Sequence, residues 1–343
     1  MDVGVNYPWF SYGWDFGPAP PGWRNGDDPA WVPHISQHLQ HLAAIGVSVI
    51  RWFILGDGLS YGTGPDAPRL VTRDSAGWGF DPPALTGEFQ AQFAALLQSF
   101  AAQSTGPHPV RLLPVLVDYK FCEPGVWPVD REDPALQQSV PDEGWVKGGR
   151  AEAMTTSRRQ FIEQVLWPLL RLASGYRDAI YAWDVCNEPE WVTNDWHPDH
   201  GNDHPVNEPE MRAFLEDSMS AVRQAGFRAT IGFNTIETIH RTQLYADINQ
   251  CHHYTDGSRY LQQNPFDPRW PGIIGEFATS AAEDTWPELS QRSQRVLARL
   301  KVTESQGYVL ALPWSFRAAD RHTSWSPQVE NDIECFTQGQ NCH

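Results

Sequence analysis

The sequence predicts an α/β fold in which eight parallel strands, each followed by a helix, close into a barrel. Three observations predict it. Short apolar runs alternate with longer stretches of helical spacing eight times along the chain. No composition break or linker divides residues 1–343, a length that fits one (β/α)8, or TIM, barrel domain with elaborated βα loops. The rival arrangement, an open doubly wound sheet, calls for a glycine-rich phosphate loop after the first strand, and "NYPWFSYGWDFG" is not one.

The elements follow in order. Asp2 to Tyr7 reads as the first strand. From Pro29 to Ala44, Ile35, Leu39, Leu42 and Ala43 recur at helical spacing, and Gly46 ends the pattern. Val47 to Ile54 is the second strand. Pro83 to Gln103 is helical, with Phe89, Phe93, Leu96, Leu97 and Phe100 on one face. Val110 to Tyr119 is the third strand, and a long helix from Gly149 to Ala173 carries Phe161, Ile162, Val165, Leu169 and Leu172. Asp178 to Cys186 is the fourth strand, followed by a helix from Glu208 to Ala225. Arg228 to Phe233 is the fifth, with a short helix from Thr238 to Tyr245. Ile248 to Tyr254 is the sixth, with only a short helix near Tyr260 behind it. Pro271 to Phe277 is the seventh, with a helix from Trp286 to Gln306. Tyr308 to Phe316 is the eighth, with a last helix from Pro327 to Phe336.

Composition narrows the function. A charged fraction of 20% and a hydrophobic fraction of 41% are those of a globular chain. A net charge of −17 argues against nucleic acid or an anionic membrane as partner and suits a neutral substrate. No apolar run approaches the length of a membrane span. Sixteen tryptophans are many, and several stand in polar or Pro/Gly-rich stretches: Trp9, Trp14, Trp23, Trp78, Trp127, Trp145, Trp191, Trp196 and Trp325. Such a set suits a cleft lined with flat apolar faces, on which sugar rings stack. Of the five cysteines, Cys186 and Cys251 sit in apolar runs as free thiols do. Cys335 and Cys342 could close a small loop in an exported protein. The chain has no charged-then-apolar leader, so the expectation is a cytoplasmic protein or an exported one whose leader has been removed.

In a barrel of this kind the chemistry sits at the C-terminal ends of the strands. Strand four ends in Asn187 and Glu188, and strand seven in Glu276. A carboxylate directly after an apolar run is costly unless it has partners or a task. Arg51 lies near the end of strand two, His252 and Tyr254 stand two apart on strand six, and Trp314 lies on strand eight. A second Asn-Glu-Pro occurs at 207–209. It follows a polar loop and leads into a helix, so Asn207 reads as an N-cap, with Glu208 and Pro209 in the first turn.

With "GVNYP" (4–8), Arg51, "WDVCNEPEW" (183–191), "CHHY" (251–254), "IIGEF" (273–277) and "LPWSF" (312–316), the chain resembles a retaining glycoside hydrolase of the (β/α)8-barrel clan A, most like family 5, whose members are cellulase- and mannanase-like. The resemblance covers nearly the whole chain. It implies catalytic roles for Glu188 as general acid/base and Glu276 as nucleophile. Asn187 would hold the sugar 2-hydroxyl, and Arg51 and Tyr254 would hydrogen-bond Glu276. His252 would contact the sugar or the acid/base, Trp314 would floor the subsite where the bond breaks, and Trp191 would join the substrate-binding set. A retaining mechanism sets its two carboxyl groups about 5–5.5 Å apart, and at that distance the charge of Glu276 is expected to raise the pKa of Glu188.

The chain also departs from the pattern. Many family 5 members carry a histidine just after strand three, where this sequence has Asp118, Tyr119 and Lys120. Two long loops are expected to shape the cleft: Lys120 to Lys147, with Trp127 and Trp145, and Glu190 to Asn207, with Trp191, Trp196, His197, Asp199, His200, Asp203 and His204. The mixed His and Asp of the second match no metal-ligand spacing, so no metal and no organic cofactor are expected. The implied function is hydrolysis of a neutral β-linked glucan or mannan. A transglycosylase or a non-catalytic carbohydrate-binding barrel on the same scaffold are the alternatives.

Overall fold

A computed structural model of the chain describes residues 1–11, 13, 15–17, 31–58, 71–73, 77–79, 84–106, 108–123, 125–126, 146–147, 149–194, 196, 205–254, 264–279, 296–317 and 325–340. Eight strands form a closed barrel: β1 (Asp2–Asn6), β2 (Val49–Phe53), β3 (Arg111–Val115), β4 (Trp183–Asn187), β5 (Ala229–Phe233), β6 (Asn249–His252), β7 (Gly272–Ala278) and β8 (Leu310–Trp314). Every pair is parallel, each strand lies beside its sequence neighbours, and β1 closes on β8. This is the (β/α)8 barrel that the alternation of apolar runs predicts.

The barrel is filled in levels. At the bottom, Val49, Leu113, Tyr181, Ala182, Ile248, Ile273, Leu310 and Leu312 form an apolar cluster separate from the main core. One step further along the strands the filling turns polar. Asn6, Arg51, Asp184 and Gln250 are all buried there. Two glycines make room for them. A Cβ on Gly232 would come within 2.9 Å of both Arg51 and Asp184, and one on Gly275 would meet Gln250 at 2.5 Å. Above this layer lie the strand ends that carry Asn187, His252 and Glu276.

Register shifts decide which residues face that mouth. Side chains alternate along a strand, so an inward Asp184 would place Cys186 inward and Asn187 outward. The ladder between β4 and β5 shifts between Asp184 and Asn187. Asn187 thereby joins the interior, while Cys186 packs in the outer core between barrel and helices. On β7 the ladder shifts between Ile274 and Phe277, so Glu276 reaches the interior and Phe277 joins the outer core. A third shift lies between Cys251 and His252. Irregularities of this kind re-aim side chains beside active sites.

The described helices are α1 (Trp31–Ala44), α2 (Gly87–Ser104), α3 (Ala151–Met154), α4 (residues 158–173), α5 (Glu208–Gln224), α6 (Ile236–Thr242), α7 (Val296–Ser305) and α8 (Pro327–Thr337). Their apolar faces are those the sequence predicts: Ile35, Leu39 and Leu42 of α1, and Phe89, Phe93, Leu96, Leu97 and Phe100 of α2, are buried. Three of the helices depart from expectation. α2 starts at Gly87 because Thr86 caps it, its side chain accepting from the Phe89 N–H. The expected helix at 149–173 is broken by Thr155, Thr156 and Ser157 and contains a π-helical turn at Ile162–Leu166. α6 starts two residues early, at Ile236, because Thr235 is its N-cap, and it ends at Thr242, with Gln243 as C-cap in the left-handed region (φ 54°). The helix expected near Tyr260 and the segment 286–295 lie outside the described residues. Cys335 is disulfide-bonded, while Cys122, Cys186 and Cys251 are free and buried. No described helix is long and apolar enough to cross a membrane.

Candidate active site

Arg51 is the centre of the site. β2 buries it completely, and a buried guanidinium needs acceptors for its N–H groups. Nε and Nη2 donate to Asp184 Oδ2 at 3.1 and 2.8 Å, and Nη1 donates to Asn6 Oδ1 at 3.1 Å. Its two remaining hydrogen bonds among the described residues are with residues of the mouth. Nη1 donates to Glu276 Oε1 at 2.6 Å, and Nη2 to Asn187 Oδ1 at 2.5 Å. Asp184 is fixed in turn by the Gly232 N–H at 3.0 Å and by Gln250 Nε2 at 2.9 Å.

The two glutamates have different surroundings. Glu276 accepts from Arg51 and, through Oε2, from the Tyr254 hydroxyl at 3.0 Å. Among the described residues no arginine hydrogen-bonds Glu188. Its Oε1 lies 2.8 Å from His252 Nδ1, and its Oε2 accepts from Trp191 Nε1 at 3.0 Å. The Glu188 backbone is left-handed (φ 46°, ψ 51°) at the turn from β4 into a 3-10 helix, Pro189–Val192. A non-glycine residue there costs roughly 1–2 kcal/mol. The Glu188 N–H is tied to the Gly232 carbonyl at 2.6 Å.

His252 stands between them, with Nδ1 3.5 Å from Glu276 Oε2 and 2.8 Å from Glu188 Oε1. Its Nε2 is buried and has no partner among the described residues. One ligand-capable atom each from Glu188, His252 and Glu276 lie within 4.8 Å of one another. A cation held by all three would sit beside the Arg51 guanidinium, which already occupies Glu276, and the two positive charges would repel. Trp314 belongs to an apolar cluster with Phe53 and Val115, against which Trp9 and Tyr254 pack. Its ring meets those of Trp9 and Phe53 edge-on at 6.2 Å.

Protonation follows from burial. Burial pushes Glu188 up to about 7, against the opposing pull of Arg51, the Trp191 hydrogen bond and Lys120. The charge of Glu276, expected to raise Glu188, is therefore not the main cause. Burial also pushes Glu276 upward, opposed by His252 and by Arg51. Burial lowers His252 to about 4, so its ring is neutral at neutral pH. Two further carboxyls adjoin Glu188. Asp118 rises to about 6 and Glu190 to about 8, both chiefly through burial.

The structure thus joins Arg51, Asn187, Tyr254 and Glu276 in one hydrogen-bonded set and Glu188, Trp191 and His252 in another, with His252 approaching Glu276 to 3.5 Å and Trp314 beside Tyr254. Trp191 makes its polar contact with Glu188, and its ring lies 6.1 Å from that of Tyr119. Sequence reasoning assigned nothing to Asn6, Asp184, Gln250 or Glu190, and saw Asp118 only as a departure. Asp184 carried a usable signal, an acid inside an apolar strand matching the base Arg51 inside another. Trp127, Trp145, His197, Asp199, His200, Asp203 and His204 lie outside the described residues.

No family model matches the chain, and no curated protein matches its sequence. Solved structures do match its fold. Endo-1,4-β-mannanase from Eisenia fetida superposes over 99% of this chain and 91% of its own, with a TM-score of 0.66 and 18% identity. β-Mannanase from the blue mussel Mytilus edulis does so over 98% and 91%, with a TM-score of 0.62 and 16% identity. A glycoside hydrolase family 5 enzyme from Prevotella bryantii covers 98% and 95%, with a TM-score of 0.55 and 10% identity. At such identities the likeness establishes a shared barrel fold.

Proposed function

We propose that the chain is one catalytic domain of a retaining β-glycoside hydrolase of the clan A, family 5 type, acting on a neutral β-linked glycan. The observation that carries this reading is the paired carboxyls. Glu188 and Glu276 bring oxygens within 4.8 Å of each other, and only Glu276 is held by Arg51. An oxygen–oxygen approach this close leaves little room for the water that inversion seats between carboxyl groups about 6.5–9.5 Å apart, and so favours retention.

The asymmetry divides the labour. The guanidinium keeps Glu276 ionised as nucleophile, with Tyr254 holding its other oxygen. Glu188, half-buried and with no lysine or arginine in contact among the described residues, keeps its proton near neutral pH and donates it to the leaving oxygen while Glu276 forms a bond to the anomeric carbon. The ester removes the negative charge of Glu276. Glu188, now ionised, takes a proton from water, whose oxygen attacks the anomeric carbon and releases Glu276. Neutral His252 exchanges a hydrogen bond with Glu188 in either state. Asn187 holds the 2-hydroxyl, and the Trp314 cluster supplies the apolar floor.

The mannanases among the similar structures make an endo-acting β-mannanase the first activity to assay, with β-glucans second. A 2-fluoro β-glycoside carrying an activated leaving group tests the mechanism. It is expected to inactivate the enzyme and leave a glycosyl ester on Glu276, read by peptide mass spectrometry. An adduct on another residue sinks the nucleophile assignment.

A further inference from the structure

We infer that Asp118 is a positioning residue whose carboxylate fixes the Asn187 side-chain amide so that it presents an N–H, and not its carbonyl, to the substrate. The inference rests on the glycosidase reading above. A primary amide has one oxygen and two N–H groups. In Asn187 the oxygen accepts from Arg51 Nη2 at 2.5 Å, and Nδ2 donates to Asp118 Oδ2 at 2.9 Å. Turning the amide over would face donors with donors at the guanidinium and oxygen with oxygen at the carboxylate. Charged partners of opposite sign on its two ends therefore admit one orientation. The second N–H is the group left to offer, and it can serve only an acceptor such as a sugar hydroxyl oxygen.

Asp118 is itself held for this task. Residues 118 and 187 form a β-bridge, extending the pairing of β3 with β4 beyond the strand ends. The Asp118 N–H donates to the Gly56 carbonyl at 3.0 Å, and the Asn187 N–H to the Val117 carbonyl at 2.9 Å. Its two oxygens are divided. Oδ1 accepts from the Lys120 N–H at 2.8 Å and caps the 3-10 helix Tyr119–Phe121, while Oδ2 holds Asn187. The residue stands at the half-buried rim of the mouth, where the chain departs from the histidine of many family 5 enzymes.

Asp118→Asn separates the two duties. It keeps an oxygen for the Lys120 N–H and turns an N–H2 toward the Asn187 N–H2. Aryl β-glycosides with and without the 2-hydroxyl, assayed on wild type and Asp118→Asn, test the inference. On the hydroxylated substrate kcat is expected to fall about 10- to 100-fold, the range for losing one hydrogen bond to a charged group, with KM changed less than about threefold. On the 2-deoxy substrate the two enzymes should agree within about threefold, and in an Asn187→Ala background the substitution should add no more than that. Asp118→Ser, which retains a cap for Lys120 and removes the group facing Asn187, should give the same substrate-dependent pattern. Equal losses on both substrates, or no loss on either, overturn the positioning role while leaving the glycosidase standing. Wild-type inactivity on both substrates and on polymeric β-glycans overturns the glycosidase reading and this inference with it.

Discussion

Asn187, Glu188 and Pro189 leave a strand whose five residues are all buried, whereas Asn207, Glu208 and Pro209 open an α-helix at the surface. The letters are the same and the backbones are not. Asn207 is extended (φ −79°, ψ 155°) and its side chain accepts from the Glu210 N–H at 3.0 Å, the bond of an N-cap. Asn187 spends its side chain on Arg51 and Asp118. Glu208 pairs with Arg212 one turn along α5 at 3.0 Å, about a third exposed on each side. Glu188 is turned into the barrel by a left-handed backbone. Proline serves both copies, since the early positions of a helix do not need its missing N–H. The tripeptide encodes a chain turning into a helix, and the segment in front decides whether its glutamate meets water or Glu276.

Substitutions in matched pairs sharpen this contrast. The largest difference is expected between the two arginines. Arg51→Ala strands Asp184, Glu276 and Asn187 in the interior and should cost about 3–5 kcal/mol in chemical denaturation, along with activity. Arg212→Ala removes a surface pair and a bond to the Thr242 carbonyl, and should cost about 1 kcal/mol or less with activity retained. Next come the asparagines. Asn187→Ala should lower kcat by on the order of a hundredfold. Asn207→Ala should leave kcat unchanged and cost about 1 kcal/mol in thermal unfolding as a lost cap.

The smallest effect is in pH dependence. With Glu188 raised to about 7, its proton is present below that pH and lost above it, so kcat/KM should fall as pH rises through about 7. The same shift bears on stability. A carboxyl raised on folding contributes fully below its unfolded value and loses that contribution as pH rises through the folded one. The melting temperature of Glu188→Gln relative to wild type should therefore increase between about pH 4.5 and pH 7. A difference independent of pH would show that Glu188 does not titrate in that window.

Much of this was legible in the chain. Alternating apolar runs gave the barrel, because strands buried on both faces must be apolar throughout. Arg51, Glu188 and Glu276 stood out as charges within or just after such runs. The network beneath them was harder to read. Period-two alternation places Asn187 and Glu276 on the outer face, and only register shifts, which leave no mark in composition, bring them inward. Gly232 and Gly275 look like weak points in strands until Gln250 and Arg51 are seen to fill their missing side chains. The break at residues 155–157 was signalled by three hydroxyl residues in a row, against an apolar periodicity that continues beyond them.

On the proposed mechanism Glu188, and not its copy Glu208, donates the proton. Hydrolysis of an aryl β-glycoside with a poor leaving group by Glu188→Ala and Glu208→Ala, each with and without azide, tests it most directly. Expected are a loss of about 10²–10⁴-fold in Glu188→Ala, partial recovery with azide through a β-glycosyl azide product, and wild-type rates for Glu208→Ala. Glu188→Ala hydrolysing at the wild-type rate, or azide rescuing Glu208→Ala instead, would contradict it.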